Sequence, residues 1–292
     1  SDYLTKPVNP SQILLTCKKF LEGRKIAGEY VSRDYVQEFQ KITAALMSAP
    51  DYNEWVDIYR KLTEWELELD DHPELGLHQT LIDQKRECNV EFGKFIERNY
   101  RSWLEGPNHR PTLSVDVVEK YVIPTLSDKR SVFFFVIDCL RLDQWLSMEA
   151  ILQEVYDITK DFYFSILPTA TPYARNAIFS GLFPNEIEQR FPDLWQRGED
   201  DDNSRNRYER QLLDKLLERK HVNLRPEPKY IKILDADVGR STEQNILTHT
   251  QNRLTSIVVN FVDMLAHGRS DSEILKEIAP DEAAYRSLTK SW

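Results

Sequence analysis

The strongest constraint on the fold is an unbroken apolar run, from Val132 to Ile137, that ends on an acid, Asp138. Further β-rich runs occur at 161–167, 229–234 and 256–262, and segments with helical periodicity separate them. Alternation of this kind is typical of a parallel α/β sheet that is covered on both faces, in which the strands are almost fully buried. We therefore predict a doubly wound α/β sheet in residues 111–292, after the loop sequence GPNHRP.

Before this loop, helical periodicity extends almost without interruption from Ser32 to Leu104. The apolar residues of this segment fall in three stripes that are interrupted near Pro50 and again between His72 and Gly76. We predict an all-α bundle of about three helices, in which the Trp and Tyr stripes form the core. Further upstream, we expect a short strand at 3–6 and a helix that begins at Asn9-Pro10 and ends at Gly23.

The composition of the chain excludes some classes of function. The formal net charge is −10 and the pI is near 5.2, which argues against a general nucleic-acid-coating role because phosphate binding is mostly electrostatic. An acidic chain can still act on a phosphorylated substrate if a bound metal supplies positive charge. Cys17, Cys88 and Cys139 are scattered without a CxxC pair, which fits a reducing compartment. We expect neither a membrane span nor a signal peptide.

Four polar residues are expected at the carboxyl edge of the predicted sheet, where ligands bind in doubly wound folds. Asp138 follows one strand, Asp263 follows another with His267 four residues later, and Thr171 begins a helix just before Pro172. Taken singly, Asp138 and Thr171 could be helix caps, and Asp263 could simply hydrogen-bond His267.

Taken together, these residues indicate metal-dependent phosphoryl chemistry. Their oxygen and nitrogen atoms are of the kinds that bind zinc. Two metal ions about 4 Å apart can bind an attacking alkoxide and a phosphoryl oxygen together. A threonine hydroxyl needs such activation to act as a nucleophile, and a helix N-terminus beside it offers N–H groups to a phosphate.

Residues from about 111 onward resemble the alkaline-phosphatase superfamily, and within it the PglZ-type domain. The segments that carry the resemblance are IDCLRLDQW, LPTATPYARNAIFSGLFP and DMLAH. The resemblance implies an alkaline-phosphatase-like sheet, two zinc ions, Asp138, Asp263 and His267 as metal ligands, and Thr171 as a metal-bound nucleophile. The spacing from Thr171 to Ser180-Gly181 matches that family and favours Thr171 over Thr169. His249 precedes the Asp263 strand, so it breaks the family order and is not taken as a ligand.

Residues 1–24, which include DYLTKPVNPSQIL, resemble the end of a response-regulator receiver domain. In that family the lysine of a Lys-Pro pair contacts the phosphorylated aspartate, and the resemblance gives this role to Lys6. A receiver end, a helical linker at 25–110 and a PglZ-type domain at 111–292 together resemble the PorX-type response regulators.

That resemblance implies a cytoplasmic two-component regulator of type IX protein secretion. It further implies a sensor histidine kinase as partner, a homodimer that forms on phosphorylation, and a zinc phosphodiesterase output that acts on cyclic or linear oligonucleotides. The alternative is a signalling adaptor whose PglZ-like domain binds a sigma factor or a secretion-motor protein.

The phosphorylated aspartate of the receiver, and the later Asp-His pair and further His of the superfamily, have no counterparts in this chain. We therefore expect a fragment of a longer protein that binds zinc weakly and turns over poorly by itself.

Overall fold

A computed structural model describes residues 10–106, 109–126, 130–195 and 206–292, with the backbone alone for 10–27 and 269–271. The described chain divides into two compact units, with the division between Glu105 and Gly106. Lys6 and the strand expected at 3–6 lie outside the described residues. No helix in the described part of the chain is both long and apolar enough to cross a membrane.

In the part of the chain that the structure describes, the first unit contains three long helices, α1 (Pro10–Met47), α2 (Tyr52–Asp70) and α3 (His78–Leu104). Asp51 caps α2 with a capping box, and a short 3₁₀ turn, Pro73–Leu75, precedes α3. The predicted stripes are buried at most of their positions: Tyr35, Ile42, Trp55, Ile58, Leu62, Leu69, Leu81, Cys88, Phe95 and Trp103. Tyr59 is an exception, since it is half exposed.

One predicted boundary in this unit is wrong. The helix that we expected to end at Gly23 continues without a break to Met47. Glycine ends a helix when it adopts a left-handed conformation, and within the described chain the glycines that do so are Gly76 and Gly181. Gly23 is flanked by Glu22 and Arg24, which favour helix, so its intrinsic cost of about 1 kcal/mol is not enough to stop propagation.

The second unit is built on a three-stranded parallel sheet of β1 (Val132–Ile137), β2 (Lys229–Ile233) and β3 (Leu254–Val259), in the order β1-β3-β2. The α-helices in the described residues of this unit are α4 (Leu142–Gln153), α5 (Thr171–Ser180), α6 (Pro184–Arg190), α7 (Glu209–Arg219), α8 (Ala236–Asn245), α9 (Phe261–Asp271), α10 (Glu273–Ile278) and α11 (Glu282–Ser291). The predicted alternation of parallel strands with helices is confirmed.

Alternate residues of the strands enter two different cores. The even-numbered side chains of β1 and β3, such as Phe134 and Val258, pack on the face that α5 and α7 cover. The odd-numbered ones, such as Ile137 and Ile257, pack on the opposite face with Phe261. The even-numbered face continues past the strand ends to Asp138 and Asn260, so it is the face that positions the site.

Two predicted strands are wrong in part. Segment 161–167 makes one isolated β-bridge, from Phe164 to Leu113, instead of a strand, because its partner turns into a 3₁₀ helix at Ser114 and the ladder cannot extend. The strand expected to run to Val262 ends at Val259, since α9 already begins at Phe261. The expectation of nearly complete strand burial holds for β3 alone among the described strands. The residues of β1 are only partly buried, and Phe135 is 52% exposed, because β1 pairs on one side only among the described strands.

The C-terminal helix α11 is fastened to α4 by buried polar contacts. Asp143 accepts hydrogen bonds from Arg141 at 2.6 and 2.9 Å and from Arg286 at 3.0 Å, and Gln144 donates to Thr289 at 2.9 Å. Tyr285 of the same helix packs in a small core with residues of α9. These contacts fix α9, the helix that carries Asp263 and His267.

Gly181 ends α5 in a left-handed conformation, with φ +61°. We expect Gly181→Ala to lower the free energy of unfolding by about 2 kcal/mol, because a left-handed Cβ is strained and would lie 2.8 Å from Leu216 Cδ1. Gly239→Ala, inside α8, is the matched control, and it should raise stability by up to about 1 kcal/mol. Chemical denaturation of both variants tests this, and equal effects of the two substitutions would contradict it.

Candidate active site

The site lies at the carboxyl ends of β1 and β3. The register pairs Ile137 with Val259, so Asp138 and Asn260 are the next residues of the two neighbouring strands. The Asp138 N–H donates to the Val259 carbonyl at 3.0 Å, which holds the two strand ends side by side. Parallel strands thus bring a carboxylate and a carboxamide to one edge of the sheet, as in other doubly wound folds.

A buried arginine of α5, Arg175, joins this edge to α7. Its Nη1 donates to Asp138 Oδ2 at 2.7 Å and to Asn260 Oδ1 at 3.3 Å. Its Nε and Nη2 donate to the two carboxylate oxygens of Glu209 at 2.8 and 2.7 Å, which is a bidentate pair. The adjacent carboxylates of Glu209 and Asp138 hold the pKa of Arg175 above its usual range against the opposing effect of burial.

Glu209 is fully buried, and its carboxylate is saturated with donors. Besides the two bonds from Arg175, it accepts from Tyr230 Oη at 2.5 Å and from Asn206 Nδ2 at 2.9 Å. A carboxylate offers about four acceptor positions, so none remains free. Asn206 also reaches the Thr171 carbonyl at 3.4 Å, which ties the start of α5 to the same network.

Asp263 and His267 lie one turn apart on α9 and contact each other. His267 Nε2 is 3.5 Å from Asp263 Oδ1, and the His267 side chain is 74% exposed. Cys139 connects this pair to Asp138, because its thiol donates to Asp263 Oδ1 at 3.1 Å and its N–H donates to Asp138 Oδ1 at 3.1 Å. Asp138, Asp263 and His267 therefore form a connected row rather than a convergent group.

Cys139 adopts a left-handed backbone conformation, with φ +58°, directly after the strand end. Strained residues of this kind occur at functional sites, where the surrounding structure holds them in place. Although the residue is exposed overall, burial of the thiol and the neighbouring Asp263 carboxylate raise the pKa of Cys139 to about 12. Both effects disfavour the thiolate, so the thiol stays protonated at neutral pH.

We accordingly expect Cys139 to resist alkylation. The thiolate is the reactive form, so at pH 8 iodoacetamide should modify this residue at least about tenfold more slowly than a free cysteine, and the rate should still be rising above pH 10. Asp263→Asn removes one of the two causes and should accelerate the reaction, whereas Asp237→Asn on the exposed start of α8 should not. Site-resolved mass spectrometry measures the rates. Rapid modification of Cys139 at pH 8 would contradict the protonated state.

Thr171 is the first residue of α5, as predicted, and lies one turn before Arg175 on the same helix. The first turn offers fewer donors to a phosphate than expected. Pro172 has no N–H, and the amides of Tyr173 and Ala174 both donate to the Ala170 carbonyl, at 2.9 and 3.0 Å. The Thr171 hydroxyl is therefore the main group at the start of this helix that could take part in a reaction.

The residues that sequence analysis missed are Arg175, Glu209 and Asn260. A signal existed for Arg175, since it follows Thr171 by four residues within an otherwise apolar helix, and a buried arginine needs an acid partner. Nothing in the sequence pairs it with Glu209, which lies 34 positions away. Asn260 was not identified because the strand was expected to continue to Val262, which placed this residue inside the strand and not at its end.

The oxygen and nitrogen atoms at this site are of the kinds that bind zinc, but their arrangement provides only part of a zinc site. Catalytic zinc sites use three protein ligands. Within the described ranges, no group of three His, Cys, Asp or Glu side chains converges on a point that could hold a metal ion. Asp263 Oδ1 contacts two other candidate ligands, Cys139 Sγ at 3.1 Å and His267 Nε2 at 3.5 Å. Asp138 accepts a hydrogen bond from Arg175 on Oδ2 and from the Cys139 N–H on Oδ1.

Two family models match this chain. Residues 25–104 match the PorX response regulator linker domain, and residues 117–291, more than half of the chain, match the BREX system PglZ alkaline phosphatase-like domain. No curated protein matches it. The alkaline phosphatase superfamily comprises hydrolases that generally use metal ions, and a PorX linker implies a sensor kinase partner. The chain belongs to the PglZ alkaline phosphatase-like family and has the architecture of a PorX-like response regulator.

Proposed function

We propose that this protein is a two-component response regulator whose output is a zinc-dependent phosphodiesterase acting on cyclic or linear oligonucleotides, and that it regulates type IX protein secretion from the cytoplasm. The observation that carries the proposal is the row of Asp138, Asp263 and His267 at the sheet edge of a PglZ alkaline phosphatase-like domain. A hydrolase of this superfamily needs metal-binding side chains at this edge, and these residues are of the right kinds.

In this proposal Thr171 is the nucleophile. Zinc held by Asp138, Asp263 and His267, with further ligands, would supply positive charge for the phosphate and for the attacking oxygen. The Thr171 oxygen attacks phosphorus as its hydroxyl proton passes to water, the P–O bond to one nucleotide breaks, and the departing oxygen takes up a proton. Water then cleaves the bond between phosphorus and the threonine oxygen, which releases the other nucleotide as a phosphate monoester. Arg175 keeps Asp138 oriented at the strand end, and the Asn206 contact fixes the backbone of Thr171.

Regulation in this proposal runs through the first unit. A sensor histidine kinase phosphorylates the receiver, Lys6 senses the added charge, and the phosphorylated protein pairs into a homodimer. The helical unit that contains the linker match then positions two output domains relative to each other. The phosphoryl group shifts the equilibrium only to the extent that it stabilises the paired state more than the free one.

The proposal is tested by metal analysis and hydrolysis with the full-length gene product. We expect bound zinc, and hydrolysis of a nitrophenyl phosphodiester that is lost with a chelator and restored by added zinc. Beryllofluoride, which mimics the phosphoryl group, should increase the dimer fraction in analytical ultracentrifugation. Absence of both zinc and hydrolysis would overturn the enzymatic proposal, whereas an unchanged mass distribution would overturn only the dimer mechanism.

One observation favours a second candidate, a signalling adaptor that binds a sigma factor or a secretion-motor protein. Arg175 already neutralises Asp138, and no three ligands converge within the described residues, as a domain without catalysis would allow. An adaptor needs neither zinc nor Thr171. Full regulatory function of a Thr171→Val gene product would therefore favour the adaptor over the enzyme.

A further inference from the structure

Lys232 is a cation near the site to which the mechanism above gives no role. It lies on β2, and its register partner on β3 is Val258, two residues before Asn260. It has the same parity as Tyr230, whose ring packs in the core on the α5 side of the sheet. The layer that contains Val136, Val258 and Lys232 is therefore apolar on two strands and cationic on the third, directly below the polar edge.

The height of Lys232 along the sheet matches that of Arg175. Phe179 of α5 packs against Tyr230, with ring centroids 5.9 Å apart. From Tyr230 to Lys232 the strand advances by about 6.6 Å, and from Phe179 back to Arg175 the helix advances by about 6 Å. Because both steps lead towards the same carboxyl edge, they place the backbone of Lys232 about level with that of Arg175 and about one helical turn below that of Thr171.

The carboxylates nearest to Arg175, those of Glu209 and Asp138, already accept hydrogen bonds on both oxygens. Both oxygens of Glu209 accept two hydrogen bonds each, and Asp138 receives Arg175 on one oxygen and its neighbour's N–H on the other. Consistently, Lys232 makes no hydrogen bond or ion pair with any residue that the structure describes, although it is only partly exposed. Arg175 cannot take over a role towards substrate, because its nitrogens are committed to buried partners.

The local charge also permits an anion here. Asp138 and Glu209 are offset by Arg175 and Lys232, and the remaining carboxylate of the edge, Asp263, accepts from the Cys139 thiol, so Lys232 supplies the attraction that a phosphate needs here. Burial lowers the pKa of Lys232 and the Arg175 charge lowers it further, whereas Glu209 and Asp138 partly offset the shift. An ammonium that is partly desolvated and lacks a partner gains more from binding an anion than an exposed lysine does.

We propose that Lys232, a cation without a partner among the described residues, binds the phosphate group of the substrate, while Arg175 serves only to hold Asp138 and Glu209. The inference rests on the proposed phosphodiesterase function and adds to it a residue that determines affinity for the substrate anion. A long flexible stem with a compact charge suits a phosphate oxygen that moves during reaction.

Titration of inorganic phosphate into the 292-residue chain by calorimetry tests the proposal without requiring turnover. We expect binding that Lys232→Gln weakens at least tenfold and that Lys232→Arg keeps within about threefold of the original. Lys229→Gln is the matched control, because Lys229 is on the same strand, exposed and of opposite parity. Should Lys232→Gln fold poorly, Lys232→Met removes the charge and keeps the apolar stem.

The outcomes separate this inference from the proposed function. Equal phosphate affinity of the original chain and of the variant without the charge, Lys232→Gln or Lys232→Met, overturns the inference, as does the absence of any phosphate binding by the original chain. Lys232-dependent phosphate binding without diester hydrolysis by the full-length gene product supports the anion site and rejects the phosphodiesterase. With active protein, Lys232→Gln should raise KM more than it lowers kcat, a pattern that a purely structural role would not produce.

Discussion

Replacing Thr171 by valine should abolish phosphodiester hydrolysis by the full-length gene product, with a loss of more than about a thousandfold in kcat. Valine has nearly the shape of threonine but lacks the oxygen that attacks phosphorus. The side chain is partly exposed at the first turn of α5, and the contact from Asn206 goes to its backbone carbonyl, so the fold should survive the substitution. Release of nitrophenol from a phosphodiester, together with the unfolding midpoint, measures both effects.

Thr169→Val is the matched control for this experiment. Thr169 lies two residues before α5 and carries the same hydroxyl, so its loss should leave most of the activity in place. Hydrolysis that persists in Thr171→Val and disappears in Thr169→Val would move the nucleophile to Thr169. Hydrolysis that persists in both variants would show that neither threonine attacks the substrate.

Loss of the Arg175 charge should be among the most damaging single changes in the second unit. Arg175→Met leaves Glu209, whose side chain is 0% exposed, without its cationic partner. Breaking a buried ion pair in this way costs about 3–5 kcal/mol, because one uncompensated charge remains in a medium of low polarity. Calorimetric unfolding should show the transition of this unit shifted to lower temperature or lost.

The double variant Arg175→Met/Glu209→Met distinguishes buried charge from lost packing. Replacing both partners by apolar residues of similar volume is often neutral, so the double variant should be more stable than Arg175→Met alone. Asp138 also loses a partner in both variants, but its side chain is 13% exposed and is closer to water. A double variant as unstable as the sum of the two single ones would show that the pair does not act as a unit.

Hydrophobic periodicity predicted the parallel strands and most helices because both elements bury a repeating face. It located β1 and β2 to within a residue and found the breaks after Met47 and Asp70. Periodicity failed where a segment has the apolar pattern of a strand but no neighbouring strand to pair with among the described residues. Segment 161–167 has the composition of a strand, but its neighbour turns away after one bridge, and sequence periodicity contains no information about a neighbour's path.

The candidate site was predictable at the level of residue types but not of pairing. Asp263 and His267 are four residues apart, so a helix brings them together without any tertiary information. Asp138, by contrast, owes its surroundings to Arg175 on α5, 37 positions away, and to Cys139, whose thiol reaches Asp263 across 124 positions. Long-range pairing of this kind depends on the packing of the whole unit and leaves no local pattern.

The length of helix α5 fixes the direction of the Thr171 side chain around the helix axis as well as its position along that axis. Thr171 at its first residue and Gly181 just past its last are separated by a helix of ten residues, and Arg175 lies between them. Each residue added to or removed from a helix turns everything before it by about 100° relative to everything after it. A single insertion between Thr171 and Arg175 would swing the hydroxyl away from the sheet edge while leaving every side chain chemically intact. The number of residues between Thr171 and Arg175 is therefore as important for the site as the identity of those two residues.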